Sequence, residues 1–180
     1  MLKPFPAVLS LILATGLPAL GQAQESSPDL TDPEVAHVAV TANNIDIDLG
    51  KLALSRTKDS EVKNFASMMV RDHTGVNEKA VALATKLGVT PKDNAVSQSL
   101  EAGAKDAKAK LDPLKGADFD RAYIEREITY HQAVLDALNQ TLIPTTENAE
   151  LKGLLTQVKP AIEAHLAYAK KIGEKVHASK

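Results

Sequence analysis

Apolar residues recur every three or four positions through four long segments of this 180-residue chain, and in no segment do they alternate. That period belongs to helices with one buried face, so the spacing predicts an all-α protein. The first stripe is Val35, Val38, Ala42, Ile45, Leu49 and Leu52. Asp32 can cap it, and Pro33 suits the first helical position. The second is Val62, Phe65, Met69, Val76, Ala80, Leu83 and Leu87, opened by Asp59 and stopped by Gly88. The third holds Ile124, Ile128, Leu135 and Leu138 and ends at a turn around Pro144. The fourth runs from about Glu147 to Val176 with Leu151, Leu154, Val158, Ile162, Ala169 and Ile172. Pro160 lies inside it and predicts a kink, because proline removes one backbone bond.

The connection between the second and third stripes decides the topology. Residues 89–116 carry a thinner helix with Val96, Leu100, Ala104, Ala107 and Leu111. Thr90-Pro91-Lys92-Asp93 reads as its start, and Asp112-Pro113 and Gly116 end it. At 1.5 Å per residue, ~20 residues cover ~30 Å, about the length of a bundle. A tight hairpin does not need such a segment; a long crossover does. The fold expected is a ferritin-like four-helix bundle with a helical crossover between helices 2 and 3. An independent fifth helix packed on one end is the alternative.

The first 23 residues read as a secretory signal peptide. Lys3 gives a positive start, Phe5 to Leu20 is apolar, and Gly21-Gln22-Ala23 sets small residues at a cleavage site. The run is short and broken by Pro18, which argues against a permanent membrane anchor. No later stretch could span a bilayer. Residues 24–31 are expected to be a flexible leader and 32–177 a single domain, located in the periplasm. The formal charge of −2 carries no basic excess, so nucleic acid is not expected as a partner. The absence of cysteine excludes disulfides, iron–sulfur clusters and thiolate zinc. Any site is left with histidine, carboxylate and methionine.

Three histidines fall within the stripes. His73 stands four after Met69, His131 three after Ile128, and His165 three after Ile162. Each occupies a core register, and a buried imidazole needs a partner. Glu127 lies one turn before His131, and Asp46 flanks Ile45. Counted from the helix ends, Asp46, His73, His131 and His165 reach similar levels within one or two turns. They could converge at mid-bundle, where such folds build metal sites from inward-facing side chains. Di-iron centres use four carboxylates and two Glu-x-x-His motifs. Here Glu127 and His131 are four apart and Ile162 stands three before His165, so three imidazoles and a carboxylate better suit one zinc, copper or iron ion. A metal-free hydrogen-bonded network, with Tyr123, Tyr130 and Tyr168 as partners, is the rival reading. Met68-Met69 beside His73 reads as core filler rather than a soft copper site. His37 and His177 are expected to be solvated.

The same residues carry a resemblance. The segments 42–53 (Ala-Asn-Asn-Ile-Asp-Ile-Asp-Leu-Gly-Lys-Leu-Ala), Val62 to Ala66, Met69 to Thr74, Phe119 to Tyr123, Glu127 to His131 and Pro160 to Leu166 resemble an exported bacterial family called domain of unknown function 4142. The resemblance spans about residues 33–173. It implies a ferritin-like fold and export, and that Asp72, His73, Asn77, Glu127, His131 and His165 belong to the family pattern. Asp46 stands where many members have glutamate, which shortens its reach. Some members carry an outer-membrane label, so association with that membrane stays open. The family has no established reaction.

The expectation is a periplasmic bundle that holds a metal ion through His73, His131 and His165, completed by Glu127 or Asp46. Asp72, Asn77 and Tyr123 would support the ligands from behind. Its role would be metal handling or stress protection rather than turnover. The alternatives are a structural or interaction protein with a metal-free polar core, and a metal-dependent redox enzyme. The last needs a substrate channel, of which the sequence shows none.

Overall fold

The computed structural model describes residues 30–178, with side chains through Val176. The expected signal segment 1–23 and most of the leader lie outside the described residues. Five long helices follow in order: α1 (Asp32–Arg56), α2 (Ser60–Leu87), α3 (Ala95–Leu111), α4 (Gly116–Ala137) and α5 (Ala149–Ala178). There is no strand among the described residues. No described helix is long and apolar enough to cross a membrane.

Local chemistry sets the helix ends. Asp59 accepts from the Glu61 and Val62 N–H groups and starts α2. Gly88, at φ 64°, ends it in a left-handed conformation that costs glycine little. Two starts differ from expectation. Thr31, not Asp32, precedes α1, and its N–H and hydroxyl both donate to Glu34 Oε2. Asn94, not Thr90, caps α3, accepting from the Val96 and Ser97 N–H groups. The Thr90–Asp93 segment instead ties back to α1, where Lys92 N–H donates to the Pro33 carbonyl. Leu30 and Thr31, which fall in the expected leader, are described: Leu30 is buried in the core and Thr31 serves α1.

The crossover is visible in which ends meet. Arg56, at the end of α1, donates to the carbonyls of Leu111 and Asp112 at the end of α3. At the opposite end, Asp32 accepts from the Glu147 and Asn148 N–H groups before α5. So α3 runs parallel to α1, and α4 starts where α2 started. The α1–α2 and α4–α5 hairpins pack side by side, with α3 against α1 and α4. This is the ferritin-like arrangement.

Helix α4 does not stop cleanly. A π turn spans Leu138–Leu142, with Ile143 N–H donating to Leu138, and a last turn covers Ile143–Thr145. Pro144 therefore sits within a helical turn. Having no N–H, it cannot continue the ordinary ladder. Helix α5 continues through Pro160, which leaves the Thr156 carbonyl without its usual donor.

Two buried clusters fill the bundle. The one toward Arg56 contains Phe65, Met69, Phe119, Tyr123 and Ile172. The one toward Asp32 contains Val35, Val38, Leu135, Leu138, Leu155 and Ile162. Gly50 lets α1 come close to α2: a Cβ there would lie 3.0 Å from Val70 Cγ2 and 3.2 Å from the Ala66 carbonyl oxygen.

Candidate metal centre

Between the two clusters lies a polar layer. Helix α1 brings Asn43 and Asp46, one turn apart. Helix α2 brings His73 with Asp72 beside it. Helix α4 brings Glu127 and His131, and α5 brings His165. The three histidine rings meet, with centroids 5.8 Å apart for His73–His131, 5.3 Å for His73–His165 and 5.5 Å for His131–His165. All three are nearly sealed from solvent, at 3%, 0% and 3% exposure for His73, His131 and His165.

Each ring is held by one nitrogen. Asn43 Nδ2 donates to the Ala39 carbonyl, which leaves Asn43 Oδ1 to accept from His73 Nδ1–H at 2.6 Å. His131 Nδ1–H donates to the Glu127 backbone carbonyl at 3.0 Å. His165 Nε2–H donates to Asp72 Oδ2 at 3.1 Å, while Arg71 holds the other oxygen at 2.8 Å. Fixing one nitrogen as donor makes the other a lone pair. Those others, His73 Nε2, His131 Nε2 and His165 Nδ1, have no hydrogen-bond partner. One ring nitrogen from each of the three residues lies within 4.8 Å of the others. A buried acceptor left bare costs about 1–3 kcal/mol, so three together demand an explanation.

The carboxylates form the adjoining part. Asp46 and Glu127 are 2% and 0% exposed. Arg126 Nη1 donates to Asp46 Oδ1 and Glu127 Oε1, both at 2.7 Å. Its guanidinium lies 3.8 Å from the Tyr130 ring centre, a favourable stacking for a desolvated cation. Burial opposes the Arg126 charge, yet Glu127 and Asp46 hold it protonated. Burial pushes the Glu127 carboxyl up from its ordinary range, against the pull of Arg126. Burial, helped by repulsion from His131 and His165, drives the His73 pKa down to about 3. Burial also lowers that of His165, with Asp72 opposing. His73 is thus neutral at pH 7 and available as a ligand.

The expected residues divide. Asp46, His73, Glu127, His131 and His165 do meet. Asp72 touches His165 and sets which of its nitrogens is bare. Asn77 does not reach the layer: it donates to Asn44 Oδ1 at 2.7 Å on the outer side of α1 and α2. Tyr123 is fully buried between Phe65 and Phe119, and its hydroxyl has no partner. Phe65, which it packs against, in turn meets the His131 ring. Met69 is buried in the cluster toward Arg56, as a core methionine should be. His37 is half-buried near Thr41 and Asp93, and the His177 side chain lies outside the described residues.

Sequence reasoning missed Arg126 and Asn43. Neither interrupts an apolar stripe: Asn43 follows Ala42, and Arg126 stands between Glu125 and Glu127. One signal was present: Arg126 precedes Glu127 and stands four before Tyr130, the spacing of a cation stacked on a ring. With Arg126 bridging Asp46 and Glu127, the second carboxylate-rich group, Asp46, Glu127 and His131, already contains a fixed positive charge. What the layer offers an ion is the cluster of three imidazole lone pairs, with a carboxylate alongside. Nitrogen-rich donors of this kind suit zinc, copper or iron.

A cavity of about 540 Å³ reaches this layer from the Asp32 end, and Asp46 and His73 are among its lining residues. The sequence indicated no such opening.

Comparison with known proteins adds three findings. The family described as domain of unknown function (DUF4142) matches residues 17–172. No protein of curated function matches the chain. CopM, solved in its Cu(II)-bound form, shares the fold with a TM-score of 0.61 at 18% identity, over 81% of this chain and 97% of that one.

Proposed function

We propose, for a chain that belongs to the family described as domain of unknown function (DUF4142), that His73, His131 and His165 hold one metal ion. Glu127 or Asp46 supplies a carboxylate to it. Asn43, the Glu127 carbonyl and Asp72 fix the imidazoles so that their free lone pairs face the ion. The carrying observation is that the three histidine nitrogens without partners belong to rings in mutual contact. The role is metal handling or stress protection, carried out in the periplasm after removal of residues 1–23. Copper is the first ion to test, since a neighbour in fold is known in a Cu(II)-bound form; zinc and iron are the others. Buried imidazoles and carboxylates can bind these ions but leave no thiolate to select Cu(I).

The test is elemental analysis of the protein purified without a histidine tag, followed by titration with Cu(II), Zn(II) and Fe(II). About one ion per chain is expected, and His131→Ala should abolish it. Less than about a tenth of an equivalent, unchanged by His131→Ala, would refute the reading.

A second reading rests on Arg126. It bonds both buried carboxylates, which is what a metal-free network needs to satisfy its charges. Under that reading a chelator leaves the melting temperature unchanged while His131→Ala lowers it.

A further inference from the structure

Arg126 reaches into the bundle from its edge. It stands on α4 beside Glu127, whose side chain is fully buried, while its own keeps 13% of its surface. Consecutive helical residues point about 100° apart, so the guanidinium folds back along the helix to meet its neighbour. Its plane rests 3.8 Å from the centre of the Tyr130 ring. That ring is itself fixed, because its hydroxyl donates to the Ala42 carbonyl of α1.

The bonding is that of a compact cation rather than of a fork. Arginine commonly meets a carboxylate with two parallel N–H bonds. Here a single nitrogen, Nη1, serves two acids from different helices. It donates to Asp46 Oδ1 of α1 and to Glu127 Oε1 of α4, both at 2.7 Å.

Each carboxylate is thereby divided. Asp46 gives Oδ1 to Arg126 and holds Oδ2 3.4 Å from His73 Nε2. Glu127 gives Oε1 to Arg126 and holds Oε2 3.5 Å from His131 Nδ1. Glu127 Oε2 has no hydrogen-bond partner, in a residue with no exposed surface. Asp46, Glu127 and His131 each offer a donor atom within 4.8 Å of the others. Carboxylates with one oxygen on each side stand between two positions, the imidazoles on one side and Arg126 on the other. Helical bundles hold pairs of ions with inward carboxylates of facing helices. In this chain the second position is filled by a side chain that does not lose its proton.

We propose that Asp46 and Glu127 form a second cation site, distinct from the three imidazoles, whose resident occupant is the Arg126 guanidinium. It holds the place of a divalent ion that prefers oxygen, such as Mn(II) or Mg(II). The assignment rests on the bonds that Arg126 makes and needs no ion at the histidines. It implies that the wild-type layer takes one ion at most, and that the guanidinium excludes a second.

The experiment removes the resident and offers replacements. Chelator-treated wild-type protein and Arg126→Ala are each titrated with Mn(II), followed by loss of the free-ion electron paramagnetic resonance signal. Arg126→Ala should take up about one Mn(II) per chain more than wild type, and adding Asp46→Asn and Glu127→Gln should abolish the gain. Methylguanidinium, well below denaturing concentrations, should raise the melting temperature of Arg126→Ala and leave that of wild type unchanged. Equal Mn(II) uptake by the two proteins, at any level, overturns the proposal. A gain that survives Asp46→Asn with Glu127→Gln overturns the site. Stabilisation by methylguanidinium without any gain in Mn(II) identifies a slot for a planar cation only and overturns the divalent assignment. Where Arg126→Ala is unfolded alone, the same two probes are read as recovery of helical circular dichroism, and no recovery with either overturns the proposal. Copper and zinc at the histidines are counted separately in wild-type protein, so the failure of one proposal leaves the other standing.

Discussion

The two halves of the bundle are built from the same periodic pattern and filled differently. Toward Arg56, every phenylalanine and tyrosine among the described residues lies in or against one cluster, with Phe65 touching Tyr123, His131 and Tyr168. Toward Asp32 the buried chains are aliphatic, and an open space remains among them. Helix α2 crosses both. Its first half buries Val62, Phe65, Ala66 and Met69, while after His73 it buries nothing. Rings carry the volume that closes a four-helix interior; valine and alanine at the same spacing leave a gap. The histidine layer stands at the border, buried throughout, with the aromatic cluster on one side and the cavity that Asp46 and His73 line on the other.

The largest break in this contrast should come from the packed half. Phe65→Ala removes a fully buried ring and should cost about 3–5 kcal/mol in urea unfolding. Arg126→Met comes next. It leaves two buried carboxylates without their cation and should cost about 3 kcal/mol or more. Adding Asp46→Asn and Glu127→Gln to it should recover much of that loss, which separates charge from packing.

The border layer is probed by pH. In the folded protein His73 stays neutral until about pH 3, whereas in the unfolded chain it titrates near 6.5. Between these values the unfolded state binds more protons, so stability rises with pH. His73 therefore contributes in full above about 6.5, and its contribution falls away as the pH drops toward 3. The urea midpoint of metal-free protein should decline over that window, and His73→Phe should flatten the decline.

The smallest effect belongs to the open half. Leu83→Ala, on the cavity wall, should cost under about 1.5 kcal/mol, because its surroundings already contain space. A loss as large as that of Phe65→Ala would mean that the two halves are equally packed.

The pattern of what the sequence disclosed follows the same border. Helix ends at Asp59 and Gly88 were legible because capping needs particular side chains at particular places. The meeting of His73, His131 and His165 was legible because face and level are both arithmetic on a regular helix. Asn77 came from the resemblance rather than from this arithmetic, and one turn past His73 it donates to Asn44. Arg126 was hidden because a long side chain can reach inward from beside the apolar stripe. The cavity was illegible in principle. Val76, Leu83, Leu154 and Val158 read as core by period, and a period names the buried face without saying whether the space before it is filled. The substitution of Leu155 for Leu154 in the core, and the π turn before Pro144, belong to the same class of local geometry.

The crossover helix has one more consequence. It divides the chain into two contiguous hairpins, 32–87 and 116–178, and divides the histidine layer with them. Asn43, Asp46, Asp72 and His73 travel with the first; Arg126, Glu127, His131 and His165 travel with the second. Neither hairpin owns all three imidazoles, and the hydrogen bond from His165 to Asp72 and the bond from Arg126 to Asp46 both span the seam. The layer is therefore a latch, assembled only when the two halves of the gene product dock. An ion seated on all three histidines would act as its bolt, and cutting the chain within α3 would turn metal binding into a count of docked pairs.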